Sequence, residues 1–273
     1  MLTALEQHWQ EYLIEAWCLG TFMVSACAFA VLLFHPASHA ATLDAGLRMV
    51  LMGLAMGLTA VAIICSPWGK RSGAHFNPAV TLTFLRLGKI KPVDAAFYIV
   101  AQFLGGAIGV LAAWLLLGDL LAEPSVNFVA TVPGGYGIGA AFAVEVIISF
   151  SMMTMILFTS NSTRTSHLTP YAAGSLLALF IALGAPISGT SLNPARTAAS
   201  ALVSGTWSGW WIYFAGPTIA MLAAGEFFAR ARGLKAVMCA KLRHGSRMNC
   251  IFNCELCPST AGSLRMQRVP GIY

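Results

Sequence analysis

Apolar residues fall along this chain in long blocks separated by short polar connections. A helix needs roughly 20 predominantly apolar residues to cross the hydrocarbon of a bilayer. On that measure the pattern predicts six spans, over residues 12–34, 47–66, 93–117, 139–159, 171–185 and 209–229, the fifth being short. Two further apolar pieces, from Asn77 to about Leu87 and from Asn193 to about Val203, are too short to cross and read as re-entrant segments. Each opens on Asn-Pro. Asparagine is a good N-cap, and proline suits the first helical position, where its missing N–H costs nothing. Each piece is therefore expected to be a half-helix beginning at its asparagine. The expected fold class is an all-α membrane protein with six transmembrane helices plus two re-entrant half-helices.

Composition agrees. Hydrophobic residues make up 58% of the chain and charged residues 10%, and the mean hydropathy is +0.74. A soluble domain carries about 25% charged residues, so this chain has too little charge to cover a water-facing surface. The net charge of +6 is no sign of a nucleic-acid partner once its distribution is considered. Basic residues run through the C-terminal stretch from Arg230 to Arg268, and Lys70, Arg71, Arg86, Lys89, Lys91 and Arg164 occupy two internal connections. The connections at 35–46, 118–138 and 185–208 contain only Arg196, with Arg48 at the start of the second span. By the positive-inside rule the basic side faces the cytoplasm, and six spans place both termini there. The first ten residues contain no Lys or Arg, so no cleavable signal peptide is expected. The expected location is multi-pass and integral, in the plasma (cell inner) membrane, with lipid around it. Trp207, Trp210 and Trp211 suit an interfacial aromatic belt.

The chain also repeats itself. Gly-Ala-His-Phe-Asn-Pro-Ala-Val-Thr at 73–81 matches Gly-Thr-Ser-Leu-Asn-Pro-Ala-Arg-Thr at 189–197, each after the second span of a three-span half. Three is odd, so the halves face opposite ways: an inverted 3+3 repeat, a device of channels and transporters. Repeat one covers about 10–118 and repeat two about 137–229, together a channel domain at 1–229. The half-helices then approach from opposite sides, with Asn77-Pro78-Ala79 and Asn193-Pro194-Ala195 meeting near the midplane. Irregular backbone at that depth requires burial in protein or a water-filled cavity. Two positive helix ends would repel cations and protons there, while the asparagine amides offer donors to a neutral oxygen. Arg196 is a lone guanidinium in an apolar half-helix, which marks function by default. Glu15 and Glu145 occupy equivalent first spans. They could carry protons, but their symmetry favours a structural role, accepting hydrogen bonds from the irregular backbone before each half-helix. Gly53, Gly57, Gly105, Gly106, Gly109, Gly174, Gly184 and Gly216 are candidates for close helix crossings.

From about Glu15 to Ala229 these residues resemble the major intrinsic protein family, the aquaporins and aquaglyceroporins. The resemblance is carried by the paired motifs at 73–81 and 191–197. Glu15 with Gly20-Thr21-Phe22, Ala101-Gln102-Phe103, Glu145 and Gly216-Pro217 support it. It implies a homotetramer with one pore per subunit, passing water and small neutral solutes. It also implies an outer constriction of four residues, which alignment on the motifs places at Met56, Ile181, Thr190 and Arg196. Strict water channels usually carry an aromatic at the first position and His at the second, and both are missing here. The glycerol branch usually has Asp after the Arg, where this chain has Thr197. The filter is apolar and of neither standard type, closer to plant-like and bacterial channels that pass neutral metalloid acids or other small solutes; the alternative function is a neutral-solute channel for glycerol, urea or metalloid acids.

Residues 230–273 form a basic tail, expected to be flexible, with Cys239, Cys250, Cys254 and Cys257. With His244 these could bind zinc or a thiophilic metalloid. The spacing is not the usual pair of doublets, so no metal is assigned; Cys250, Cys254 and Cys257 are the candidates if one binds. Cys18, Cys27 and Cys65 lie in apolar segments and read as small buried hydrophobes. Arg164 and His167 could make a pH-sensitive loop, though an ordinary solvated loop accounts for them. No cofactor is expected. The rival readings are a coupled secondary transporter, which would need free titrating groups at the midplane, and an embedded enzyme, for which no nucleophile–base pair stands out.

Overall fold

The computed structural model describes residues 2–244 and 250–256. Helix α1 spans Leu2–Phe34, α2 Ala45–Cys65, α3 Pro67–Ser72, α4 Pro78–Arg86, α5 Pro92–Leu117, α6 Gly137–Ser160, α7 Thr169–Ser188, α8 Pro194–Ser204 and α9 Trp210–Arg232. Among the described residues six helices are long and apolar enough to cross a membrane, namely α1, α2, α5, α6, α7 and α9. Helices α4 and α8 are the two short pieces.

Local chemistry sets the boundaries. Asp44 Oδ1 accepts from the N–H groups of Gly46 (2.8 Å) and Leu47 (3.1 Å), capping α2. Ser66 closes α2 and caps α3, accepting from Gly69 N at 2.9 Å ahead of Pro67 at the first helical position. Two boundaries differ from the hydropathy pattern. Helix α1 starts ten residues early because its polar first turns have partners inside the protein. Asp94 Oδ1 pairs with His8 Nδ1 at 2.8 Å and accepts from Tyr12 Oη at 2.6 Å, and Arg71 Nε reaches Glu11 at 2.9 Å. Helix α7 runs on through Pro186 to Ser188 and stops at Gly189, whose φ of 78° is left-handed.

The packing has the symmetry of the repeat. Helix α1 packs on α5 as α6 packs on α9, α8 lies on α5 as α4 lies on α9, and α2 meets its counterpart α7 between the halves. Small residues permit these contacts. A Cβ on Gly105 would sit 2.1 Å from the carbonyl oxygen of Ala16, and one on Gly53 would sit 2.4 Å from that of Ala178. Gly57 and Gly174 face each other in the same way, whereas Gly106 and Gly216 meet side chains at 3.1 and 3.3 Å. The outer face is apolar, with Leu58, Ile108, Leu115 and Ile147 exposed where lipid belongs. Gly105→Val is expected to destabilise the protein at the upper end of roughly 1–3 kcal/mol, because backbone cannot yield as a side chain would. Thermal melting in detergent checks this against Gly135→Ala, where an added Cβ meets nothing within 4 Å.

Within the tail beyond α9, residues 233–244 and 250–256 are described. After a 3₁₀ turn at Leu234–Ala236 the chain folds back onto the face where α1 begins, burying Val237, Cys239, Ala240, Lys241 and Leu242. Leu242 N donates to Gly73 O at 3.1 Å, and Asn253 N donates to Lys89 O at 3.0 Å. Glu255 accepts from Lys89 Nζ at 2.8 Å. Short apolar side chains and these backbone bonds hold the segment, which a hydropathy reading tuned to membrane spans passes over.

Candidate functional site

The two segments leading into α4 and α8 adopt the same unusual backbone. Gly73, Ala74 and Phe76 have φ of 99°, 54° and 32°; Gly189, Thr190 and Leu192 have 78°, 49° and 54°. A non-glycine residue in this region costs about 1–3 kcal/mol and persists only where its surroundings impose it. Here a buried carboxylate does so in each half. Glu15 accepts from Ser72 Oγ (2.7 Å), His75 N (3.0 Å), Phe76 N (2.7 Å) and Gln102 Nε2 (2.8 Å). Glu145 accepts from Ser188 Oγ (2.9 Å), Ser191 N (2.8 Å) and Leu192 N (2.8 Å). Tyr98 Oη donates to Ser72 O and Tyr213 Oη to Ser188 O, both at 2.7 Å. Ser72, Ser188 and Tyr98 are not singled out by the sequence reading, and Tyr213 is, though not for this role. Their signal was present, since Ser precedes the glycine in both motif copies.

These supports bring the half-helix tips together. Asn77 Oδ1 caps α4 by accepting from Ala79 N at 2.9 Å; Asn193 Oδ1 caps α8 by accepting from Ala195 N at 3.0 Å and Arg196 N at 3.3 Å. The amide nitrogens cross between the halves: Asn77 Nδ2 donates to Leu192 O at 2.8 Å, and Asn193 Nδ2 to Phe76 O at 2.7 Å. Each amide has two N–H donors, so one on each remains for another acceptor. Pro78, Ala79, Pro194 and Ala195 are buried in the first turns.

Two cavities lie end to end past these tips. One, of about 210 Å³, lies toward the face where α1 ends, and Met56, Ile181, Thr190 and Arg196 all line it. The other, of about 80 Å³, is lined by Asn77 and Asn193 together with His75, Val80, Met152 and Leu242. Phe22, Leu177, Ser191 and Arg196 belong to both walls. A water needs roughly 10–15 Å³ of such space, so each cavity takes several. Among the described residues Arg196 Nη1 is buried without a hydrogen-bond partner.

The tail candidates lie apart, against the face where α1 begins. Cys250 and Cys254 stand with Cys239 and His244; Cys257 lies outside the described residues. Hydrogen bonding with Cys239 pulls the Cys250 thiol well below its ordinary range and pushes the Cys239 thiol up.

Residues 3–228 match the family described as Major intrinsic protein. This chain belongs to that family. Over 213 residues it is 34% identical to aquaporin A of Dictyostelium discoideum, a match covering 76% of this chain and 74% of that one. Over 219 residues it is 32% identical to aquaporin NIP1-2 of Arabidopsis thaliana, covering 78% and 72%. The X-ray structure of the aquaglyceroporin from Plasmodium falciparum has the same fold, with a TM-score of 0.71 at 18% identity over 84% of this chain and 98% of that one. The protein is therefore a multi-pass integral membrane protein and an aquaporin-type channel for water or small neutral solutes, in a non-enzymatic family.

Proposed function

We propose that small uncharged solutes, with water, pass in single file between the Asn77 and Asn193 amides and then through a constriction formed by Met56, Ile181, Thr190 and Arg196. The observation that carries this reading is the reciprocal Asn77–Leu192 and Asn193–Phe76 bonding at the junction of the half-helices. It fixes two positive helix ends side by side, each worth about half a charge. A solute oxygen can accept from the free amide hydrogens, whereas a cation meets only repulsion. A water held there through its oxygen cannot hand a proton to the amides.

The constriction is apolar on two sides, with Met56 and Ile181, and polar on two, with Thr190 and Arg196. That combination favours small uncharged molecules with both a hydroxyl edge and an apolar edge, such as glycerol, urea or a metalloid acid. A coupled transporter would need acids free to load ions, but Glu15 and Glu145 are each engaged by at least three hydrogen bonds.

Residues 1–229 act as the channel unit and the remainder as an appended tail. Four subunits assemble with one pore each, in the cell's inner membrane. The basic connections Lys70–Lys91 and the tail face the cytoplasm by the positive-inside rule.

Stopped-flow light scattering of proteoliposomes tests this. Water, glycerol, urea and arsenite fluxes should show low activation energies and no dependence on ion gradients. Met56→Phe combined with Ile181→His fills the constriction with rings. The variant is expected to lower solute flux relative to water flux by roughly tenfold or more, since pore width and lining set selectivity. An unchanged solute-to-water ratio would remove these residues from the filter.

A further inference from the structure

A second cluster of chemically capable side chains lies in the tail of this chain. Cys239, His244, Cys250 and Cys254 converge so that one ligand atom from each lies within 4.8 Å of all the others. Cys239 Sγ is 3.6 Å from Cys250 Sγ, and His244 Nε2 is 3.2 Å from Cys254 Sγ. Bonds of about 2.3 Å to sulfur and about 2.0–2.1 Å to nitrogen imply tetrahedral edges of roughly 3.8 and 3.5 Å. The cluster is thus close to the size of a closed tetrahedral site, its longest separation only about 1 Å too great.

A second observation concerns charge. Lys241 is 2% exposed, and among the described residues its Nζ is buried without a hydrogen-bond partner. An unpaired buried ammonium is costly. Three thiolates, a neutral imidazole and a divalent ion carry a net charge of −1, which Lys241, two residues from Cys239, would balance.

We infer that Cys239, His244, Cys250 and Cys254 bind one thiophilic divalent ion of the zinc class, which staples the tail across the adjacent end of the pore. The ligands bracket the segment that walls the inner cavity. Ala240 O bonds to His75 Nε2 at 2.8 Å, Leu242 lines the cavity beside Asn77, and Phe252 stacks on His75 with ring centroids 5.4 Å apart. Binding ties residues 239–244 to 250–254 and so holds Leu242 in place. Release of the ion frees that wall. The stapling half of the inference rests on the channel reading above and on a reducing cytoplasm at this face; the binding half does not.

Full-length protein, purified with reductant and stripped by chelator, is titrated with zinc(II) and with cobalt(II), whose thiolate absorption reports sulfur ligation. One equivalent per subunit is expected, and Cys239→Ser or Cys254→Ser should weaken binding more than roughly 100-fold, the range lost when even outer-shell partners go. Trivalent arsenite takes three thiolates without imidazole. His244→Ala should therefore weaken zinc binding and spare arsenite binding. Arsenite binding without zinc binding overturns the assignment, as does a Cys239–Cys250 disulfide in protein isolated under thiol-trapping conditions. In proteoliposomes, chelation should raise wild-type solute flux several-fold and leave Cys254→Ser, already open, unchanged. One bound zinc with no change of flux on chelation overturns the stapling. A chain that binds zinc yet passes no solute in either state would fail as a channel without touching the site.

Discussion

Glu145→Ala is expected to leave no folded channel to measure. The carboxylate accepts three hydrogen bonds, from Ser188 Oγ, Ser191 N and Leu192 N. Bonds to a charged group are worth about 1.5–3 kcal/mol each. Alanine removes all three and leaves buried donors without acceptors. It also removes the restraint on Thr190 and Leu192, whose left-handed backbone costs about 1–3 kcal/mol apiece. The combined loss is on the order of 5–10 kcal/mol, comparable to the whole stability of a typical domain at about 5–15 kcal/mol. Glu145→Gln should do less damage, because one oxygen still accepts, though its NH₂ group now faces a backbone donor. The order expected is wild type, then Gln, then Ala, in the yield of monodisperse protein and in melting temperature. An Ala variant melting with wild type would show that something other than this carboxylate holds the loop. Glu15→Ala should behave alike, and more mildly if Gln102 rearranges to receive the orphaned donors.

The symmetry behind that prediction is readable in the sequence. Two Asn-Pro-Ala copies in odd-numbered halves force the half-helices to approach from opposite sides, and the isolated acids at 15 and 145 follow the same register. Span existence was legible because lipid imposes a length and a polarity that no soluble context requires. Span ends were less so. The first turns of α1 are polar, and only the fold reveals that Asp94 and Arg71 satisfy them. The crossing of the Asn77 and Asn193 amides depends on a meeting of residues more than a hundred positions apart, which no local pattern encodes. The tail was the least legible part. Its cysteines and histidine are spaced Cys-x4-His-x5-Cys-x3-Cys, a rhythm that matches no common metal motif, and their convergence comes from the way 250–256 returns to Lys89 and Met238. Composition marks that stretch as basic and mixed; its fold is set by tertiary contacts with a surface that the sequence alone does not display.

Arg196→Ala is expected to let cations leak while neutral solutes keep passing. The variant should fold, because the hydrogen bond that positions Arg196 in α8 is made by its backbone N–H to Asn193 Oδ1, and its side-chain Nη1 has no partner among the described residues to lose. What disappears is a full positive charge at the junction of the two cavities. At an effective dielectric of about 20, two unit charges 4 Å apart repel by about 4 kcal/mol, or three decades in rate at about 1.4 kcal/mol per decade. Waters beside the guanidinium screen part of this, and the two half-helix ends still oppose cations with about half a charge each. The proton leak of proteoliposomes should therefore rise by roughly 10- to 1000-fold, read with an internal pH dye while valinomycin and potassium clamp the potential. Arg196→Lys keeps the charge and loses the planar fork, so it should hold the cation barrier while weakening selection among neutral solutes. If Arg196→Ala retained water flux with no added leak, the barrier would belong to the asparagine junction alone. The guanidinium would then serve only to orient the solute's oxygen, a role the Lys variant would expose through its solute preference.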